Sequence, residues 1–286
     1  MNNILPSSHK QKGQAVLVVL LVMAVILTIS LSVVSRSVTD IKISQQSQEA
    51  ARALWVAQAG LEQAIKSNSA PTGTLNEVQY SVTRANLGGG AAYVFPEKLK
   101  ANESAYFWLV PHDETTGEIM GSGFYNGTLK IYWGNQVAGA ATESSPALEA
   151  TIIYSDAAGD FFQKRFAYDP FAGRTPSSGF DPALAGGIVS GQTFAYSSSN
   201  IDLSSVGIGG SSFILRIRLL YNDLPQHAAV IDVSGPSQNF PSQGQCYTAS
   251  ARVTESGVSR KLEECRLWRI MPGIFDFTLF SGEPIS

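Results

Sequence analysis

The sequence predicts an α+β protein: a long N-terminal helix whose first half spans a membrane, packed on a β-rich head of antiparallel sheets with an inserted β-sandwich-like lobe. Three observations carry this. An uncharged run extends from Gln14 to Ser35, an alanine-rich stretch follows without proline as far as Pro71, and short β-branched and aromatic segments divided by turn residues make up the remainder.

As a helix, Gln14 to Ser35 measures about 33 Å, enough to cross a hydrocarbon core of about 30 Å. Its polar groups, among them Thr28, Ser30 and Ser32, can bond back to carbonyls of their own helix. Lys10 and Lys12 precede the run and Asp40 and Glu49 follow it, a bias that puts the N-terminus on the cytoplasmic side and the rest of the chain outside. Other readings compete. A secretory signal has a shorter apolar region that ends in a small-x-small site, of which Val33-Val34-Ser35 is a poor version. A plain single-pass anchor has no use for Gly13. The core helix of a soluble protein rarely presents so long an uncharged stretch.

Beyond Arg36 the helix is expected to continue, because Ala50, Ala51, Ala53, Leu54, Ala57, Ala59, Leu61 and Ala64 are strong helix formers. One helix over 14–66 with its membrane span at 14–35 follows; from Gln14 to Ile65 it measures about 78 Å. Leu54, Ala57, Leu61 and Ile65 recur at spacings of three and four and share a face, which is expected to dock on the head. Gly60 costs about 1 kcal/mol relative to alanine inside a helix. It marks either a close packing contact or a tolerated weakness.

Lys10-Gln11-Lys12-Gly13 followed by Gln14-Ala15-Val16-Leu17 resembles a class III signal, cut by prepilin peptidase between Gly13 and Gln14. Trp55-Val56-Ala57-Gln58-Ala59-Gly60-Leu61-Glu62 resembles the second signature of PilX-type minor type IV pilins and pseudopilins, an aromatic followed by Ala-Glu-Ala-Gly-hydrophobic-Glu. The resemblance covers roughly residues 10 to 66. It implies a leader over 1–13, a non-enzymatic assembly subunit of a type IV pilus-like filament, and storage in the cytoplasmic membrane with the N-terminus inside before display in a filament or at the cell surface. The implied partners are prepilin peptidase, membrane lipid before assembly, and other pilin or pseudopilin subunits met through the helix, with Val18, Leu54, Ala57 and Leu61 as helix assembly residues and N-methylation at Gln14. Two departures matter. Val18, fifth in the cleaved chain, stands where major pilins carry a glutamate that complements a neighbour's amino group, which suggests a tip or low-copy subunit. Gln58 stands where the pattern more often has glutamate. An anchored surface protein that binds a ligand without polymerising is the alternative function.

From Ser67 the head, 67–286, reads as strands at Val78–Ala85, Tyr106–Pro111, Gly123–Tyr132, Ala150–Ser155, Phe161–Tyr168, Phe213–Tyr221, Ala228–Val233, Cys246–Thr254 and Ser259–Ile270. Asp156 to Asp160 and Glu255-Ser256-Gly257 read as hairpin turns. The stretch 170–210, with Pro176, Pro182 and Gly186-Gly187, is expected to form loops, with one strand at Thr193 to Tyr196. The first head strand is expected to join the C-terminal ones in the sheet that covers the helix, with residues from about 100 to 205 forming the inserted lobe.

Cys246 and Cys265 are the only cysteines and flank an expected hairpin in an extracytoplasmic domain, a setting that favours a disulfide; two buried free thiols are the alternative. Their spacing matches no zinc pattern, and His112 and His227 have no ligand partner nearby in sequence, so no metal or cofactor is expected. No nucleophile elbow, P-loop or zinc-protease motif is present, and no enzyme is expected. The net charge of −3, more negative once Lys10 and Lys12 leave with the leader, argues against general attraction to nucleic acid. DNA or a surface ligand remains open as a partner of the head without a residue pattern in support: Arg216 and Arg218, with Arg252, Arg260 and Lys261, read first as a solvated outer sheet face. The hydrophobic C-terminal stretch Leu267 to Phe280 is expected to dock, with Phe275, Phe277 and Leu279 on one side if extended, either completing a core or contacting another subunit.

Overall fold

The computed structural model describes residues 14–135, 140–156, 158–204, 211–235 and 239–270. Leader residue Gly13 and the tail Ile274 to Phe280 lie outside these. The chain combines one long apolar helix with antiparallel sheets, an α+β architecture. It divides into two compact units: the described residues up to Val82 with Thr248–Leu262, and Thr83–Tyr247 with the described residues from Glu263.

The first unit is built on α1, Gln14–Ser67, a single helix of 54 residues that is about 80 Å long. Thr28 and Thr39 donate their hydroxyls to the carbonyls of Val25 and Ser35, so these polar groups need no water. The helix stops at Asn68, whose φ of 47° is left-handed, and Ser69 N–H reaches back to Ala64 O at 3.1 Å, the longer bond of a Schellman cap. Strand β1 (Thr72–Leu75) then pairs with β2 (Val78–Gly88) through Asn76 and Glu77, both at positive φ, as the hairpin turn whose twist matches its strands requires. Glu77 O is held by the N–H and hydroxyl of Thr254. With β14 (Ser242–Val253) and β15 (Ser259–Leu267) these strands form a sheet in the order β1-β2-β14-β15, the expected meeting of the first head strand with the last two.

The second unit is a sandwich of two sheets. One is ordered β3 (Ala92–Val94), β13 (Ala228–Asp232), β5 (Thr128–Asn135), β10 (Gln192–Ser197), β9 (Leu184–Val189), with β11 (Ile201–Asp202) also on β5. The other is ordered β4 (Ser104–Trp108), β12 (Ser211–Leu220), β6 (Ala147–Ser155), β7 (Phe161–Asp169), β8 (Asp181–Pro182). Pairing within both is antiparallel except for the two-residue β8 on β7. Alternate residues point inward: Leu129, Ile131 and Trp133 of β5 meet Leu148, Ala150 and Ile152 of β6 and Leu215, Ile217 and Leu219 of β12 in one core. Trp133 Nε1 donates to Pro146 O at 2.8 Å, so even the largest core ring buries no orphan donor.

Two expectations about this lobe need correction. Its sheets run from Ala92 to Asp232 rather than from about 100 to 205, because β12 lies between β4 and β6, and β13 between β3 and β5; such distant pairing leaves no local trace. In the stretch 170–210 the expected strand at Thr193 to Tyr196 is present as β10, but the other described residues, up to 204, are not all loops: they carry a short helix, α2 (Thr175–Ser178), and strands β8, β9 and β11. Gly186-Gly187 sits within β9, and a Cβ on Gly186 would come within 2.0 Å of Phe194 O. That glycine marks a close backbone approach inside a strand, not a turn.

One buried clasp holds the lobe's end. Asp169, fully buried, accepts from Nε and Nη2 of Arg174 at 2.8 and 2.9 Å. The same guanidinium donates to the carbonyls of Glu143 and Ser145 and lies 4.4 Å from the Tyr221 ring centroid. Removing one member of a buried pair strands the other charge, so Arg174→Met should destabilise the chain by about 3–5 kcal/mol. Asp169→Asn in the same chain should recover part of that loss in denaturant titrations.

Burial holds His112 and His227 below the ordinary histidine range; Lys98 adds to the effect at His227, while a bond to Val110 O partly offsets it at His112. Both rings are therefore neutral in the fold where the unfolded chain would protonate them. Their stabilisation is complete above about pH 6.5 and is lost as pH falls from there through their lowered values. Replacing both by glutamine should flatten that acid-side slope in denaturant titrations run from pH 7 downward.

Candidate functional site

The outer half of α1 meets the sheet of its own unit through small side chains. Ala53, Val56, Ala57, Gly60, Leu61 and Ala64 are buried, a stripe at spacings of three and four. Tyr80 of β2 explains the glycine: a Cβ on Gly60 would lie 2.7 Å from Tyr80 Cδ2, and the phenol donates to Gln63 Oε1 at 3.1 Å. At the lower end of the contact Arg52 donates to Asn76 O at 2.8 Å, tying the helix to the β1–β2 turn.

Of the helix residues singled out from sequence, Ala57 and Leu61 lie in this buried stripe, whereas Leu54 is 41% exposed. The stripe is turned toward the preceding residues: Ala53 and Ala64 rather than Leu54 and Ile65 are buried at its ends, and Val56 and Gly60 join Ala57 and Leu61 between them. Trp55 is 70% exposed, and Gln58 donates to Glu62 Oε1 at 3.1 Å on the outward side. The stretch from Trp55 to Glu62 is thus split: Ala57, Gly60 and Leu61 are buried on the sheet side, and Trp55, Gln58 and Glu62 are exposed.

Toward the N-terminus no described residue covers the helix. From Val16 to Gln48 each residue is exposed, including Val18 at 57% and, past Arg36, Val38, Ile41 and Ile43. Gln14 is the first residue of α1. The helix is long and apolar enough, by length and composition, to cross a membrane, and an exposed apolar surface of this size marks a membrane or protein interaction site.

In the head, Cys246 and Cys265 form a disulfide with Cα atoms 3.9 Å apart. Glu263 lies beside them in an arrangement that could suggest a metal site, but the bond occupies both sulfurs and leaves no thiolate ligand. Arg216 is not part of a solvated face. Its side chain is 13% exposed and pairs with Glu149, which also binds Arg165 at 2.8 Å; Arg252, Arg260 and Lys261 belong to the other unit. Asp156 Oδ1 accepts from the N–H groups of Ala158 and Asp160, so it shapes the β6–β7 turn.

A groove in the second unit was not legible in the sequence. It encloses about 200 Å3 beside β4, between the segment from Phe95 to Leu99 and the chain at Leu267, Trp268 and Ile270. Gln243, itself buried, acts as a surrogate strand: its Oε1 accepts from Trp108 N–H at 2.7 Å and its Nε2 donates to Trp108 O at 3.0 Å. His112 stacks on Trp268 with ring centroids 5.3 Å apart and meets Trp108 edge-on at 4.6 Å. Residues so far apart in sequence give no motif; the only local signal was the unusual hydrophobicity of the chain end.

The Gly60–Tyr80 contact has a testable sign. Gly60→Ala should destabilise by about 1–3 kcal/mol through overpacking, despite alanine's helix advantage of about 1 kcal/mol. In a Tyr80→Ala background the same change should become stabilising. Unfolding of the purified chain in detergent measures both. Comparison with protein-family models, curated proteins and solved structures finds no match to this chain.

Proposed function

We propose that the chain is a PilX-like minor pilin or pseudopilin, a non-enzymatic subunit that enters a type IV pilus-like filament through α1. The observation that carries the reading is the division of labour along that helix. Its first half is apolar and uncovered, while its second half docks on the sheet through Ala57, Gly60 and Leu61 of the signature. Such a helix suits lipid before assembly and other helices after it. Cleavage by prepilin peptidase between Gly13 and Gln14 would release it for assembly. Storage in the cytoplasmic membrane with the N-terminus inside, then display in a filament or at the cell surface, follows from the charge bias of Lys10 and Lys12.

Val18 bears on position. Without a carboxylate there, the subunit cannot neutralise the amino group of a neighbour, which suits a low-copy or tip subunit better than a shaft subunit. Trp55, Gln58 and Glu62, which the chain's own sheet leaves uncovered, are the groups offered to neighbouring subunits.

Co-expression with a prepilin peptidase should yield a mature N-terminus at Gln14, N-methylated, as read by mass spectrometry of the N-terminal peptide. An intact N-terminus would point to a plain anchor, and one near Arg36 to secretion. Trp55→Ala should leave the unfolding free energy within about 0.5 kcal/mol, as exposed substitutions do, yet reduce recovery of the chain in sheared filaments several-fold. Unchanged recovery would remove Trp55 from the assembly surface.

A further inference from the structure

We propose that the open edge of β7 pairs with the same edge of a second copy, in an antiparallel ladder whose two-fold axis passes at Phe162. This pairing is independent of the filament reading. β8 covers β7 only at Tyr168 and Asp169, so among the described residues no strand lies beside 161–167 on that side. The bonding direction alternates along a strand. Asp156 N–H bonds to Asp160 O, and Ala183 N–H, just past β8, bonds to Asp169 O, which turns the even-numbered residues of β7 toward β6 and the odd-numbered ones toward the open edge. Phe161, Gln163 and Arg165 therefore offer their N–H and C=O groups outward. Such an edge is a template for another strand.

The side chains select the partner. Phe161 and Phe162 are 56% and 46% exposed, Phe162 stacked on Tyr154 and Phe161 set against Phe213, so apolar surface faces outward at this end of the hairpin. Asp160 and Lys164, both exposed, stand on the face of Phe162, one on each side of it. Within one chain they are about 13 Å apart along the strand, too far to meet, and no ion pair joins either to another described residue. A two-fold axis at Phe162 sets Lys164 of each copy opposite Asp160 of the other. Phe161 and Gln163 then exchange both backbone bonds with Gln163 and Phe161 of the second copy, and the two Phe162 residues take the non-bonded position, with Cα atoms about 4.5 Å apart. Neighbouring registers lose this match. An axis at Lys164 sets ammonium against ammonium, and one at Gln163 sets Lys164 against Phe162 and Asp160 against Phe166. The axis near the turn also keeps β8 clear, since Tyr168 lies about 20 Å along the strand from it.

The test puts a cysteine on the axis, Phe162→Cys, in the full chain in detergent, whose native cysteines are bonded to each other. Mild oxidation should give a disulfide-linked dimer in several-fold higher yield than Leu224→Cys, an exposed control. Adding Lys164→Asp or Asp160→Lys brings like charges together across the axis and should cut the yield several-fold. Mixing those two variants should restore it, because each charge then faces its opposite. A yield at 162 no higher than at 224, one that the charge reversals leave unchanged, or a loss that mixing does not restore would overturn the pairing. Independently, in the unmodified chain, the amides of residues 161 and 163 should exchange hydrogen more slowly as concentration rises through the range in which the crosslink forms, while those of 162 and 164, already directed to β6, keep their rates. Exchange at 161 and 163 that ignores concentration would contradict the pairing.

Discussion

An apolar helix far longer than the surface that can cover it governs this molecule. The residues of α1 that are buried lie between Ala53 and Ala64, and those from Val16 to Gln48 are exposed. Leaving that surface in water would cost about 25 cal/mol for each Å2 of apolar area, more than a domain's net stability of 5–15 kcal/mol could offset. On the function proposed above, lipid and then other helices cover it. The docked half is adapted to the same demand: its buried residues are mostly small, Ala53, Ala57 and Ala64 with Gly60, so the sheet can lie close.

Much of this was legible in the sequence because the signals are local. The absence of charge from Gln14 to Ser35 and the absence of proline before Pro71 are properties of neighbouring residues. The docking stripe was legible only in part. Periodicity gave its spacing and placed it on Leu54, Ala57, Leu61 and Ile65, whereas the sheet buries Ala53 and Ala64 at its ends. Gly60 held the missing clue, since a glycine in a helix implies something close against it, and Tyr80 is that neighbour.

In the second unit the strands with alternating apolar residues, β5, β6, β7, β12 and β13, were foreseeable, but their arrangement was not. Leu215 pairs with Ile152 on one side and Phe107 on the other, a choice made by core packing across distant strands. Gly186-Gly187 has the composition of a turn and serves as a strand, because a backbone contact can use a missing Cβ as readily as a bend can. The Asp169–Arg174 clasp and the Gln243 side chain that pairs with the edge of β4 likewise depend on partners brought together only by the fold. Chemistry assembled from single residues on several strands stays silent in a sequence until the topology is known.

The central claim is that α1 is one helix with two environments, lipid for its first half and its own sheet, then solvent or other subunits, for its second. Single cysteines placed at Val22, Gln45 and Gln58 in the full chain, whose native cysteines are bonded to each other, test it in bilayer vesicles with a membrane-impermeant maleimide. The account predicts rapid labelling at positions 45 and 58 and protection at 22 until detergent is added. Labelling at 22 as fast as at 45 in intact vesicles would contradict it.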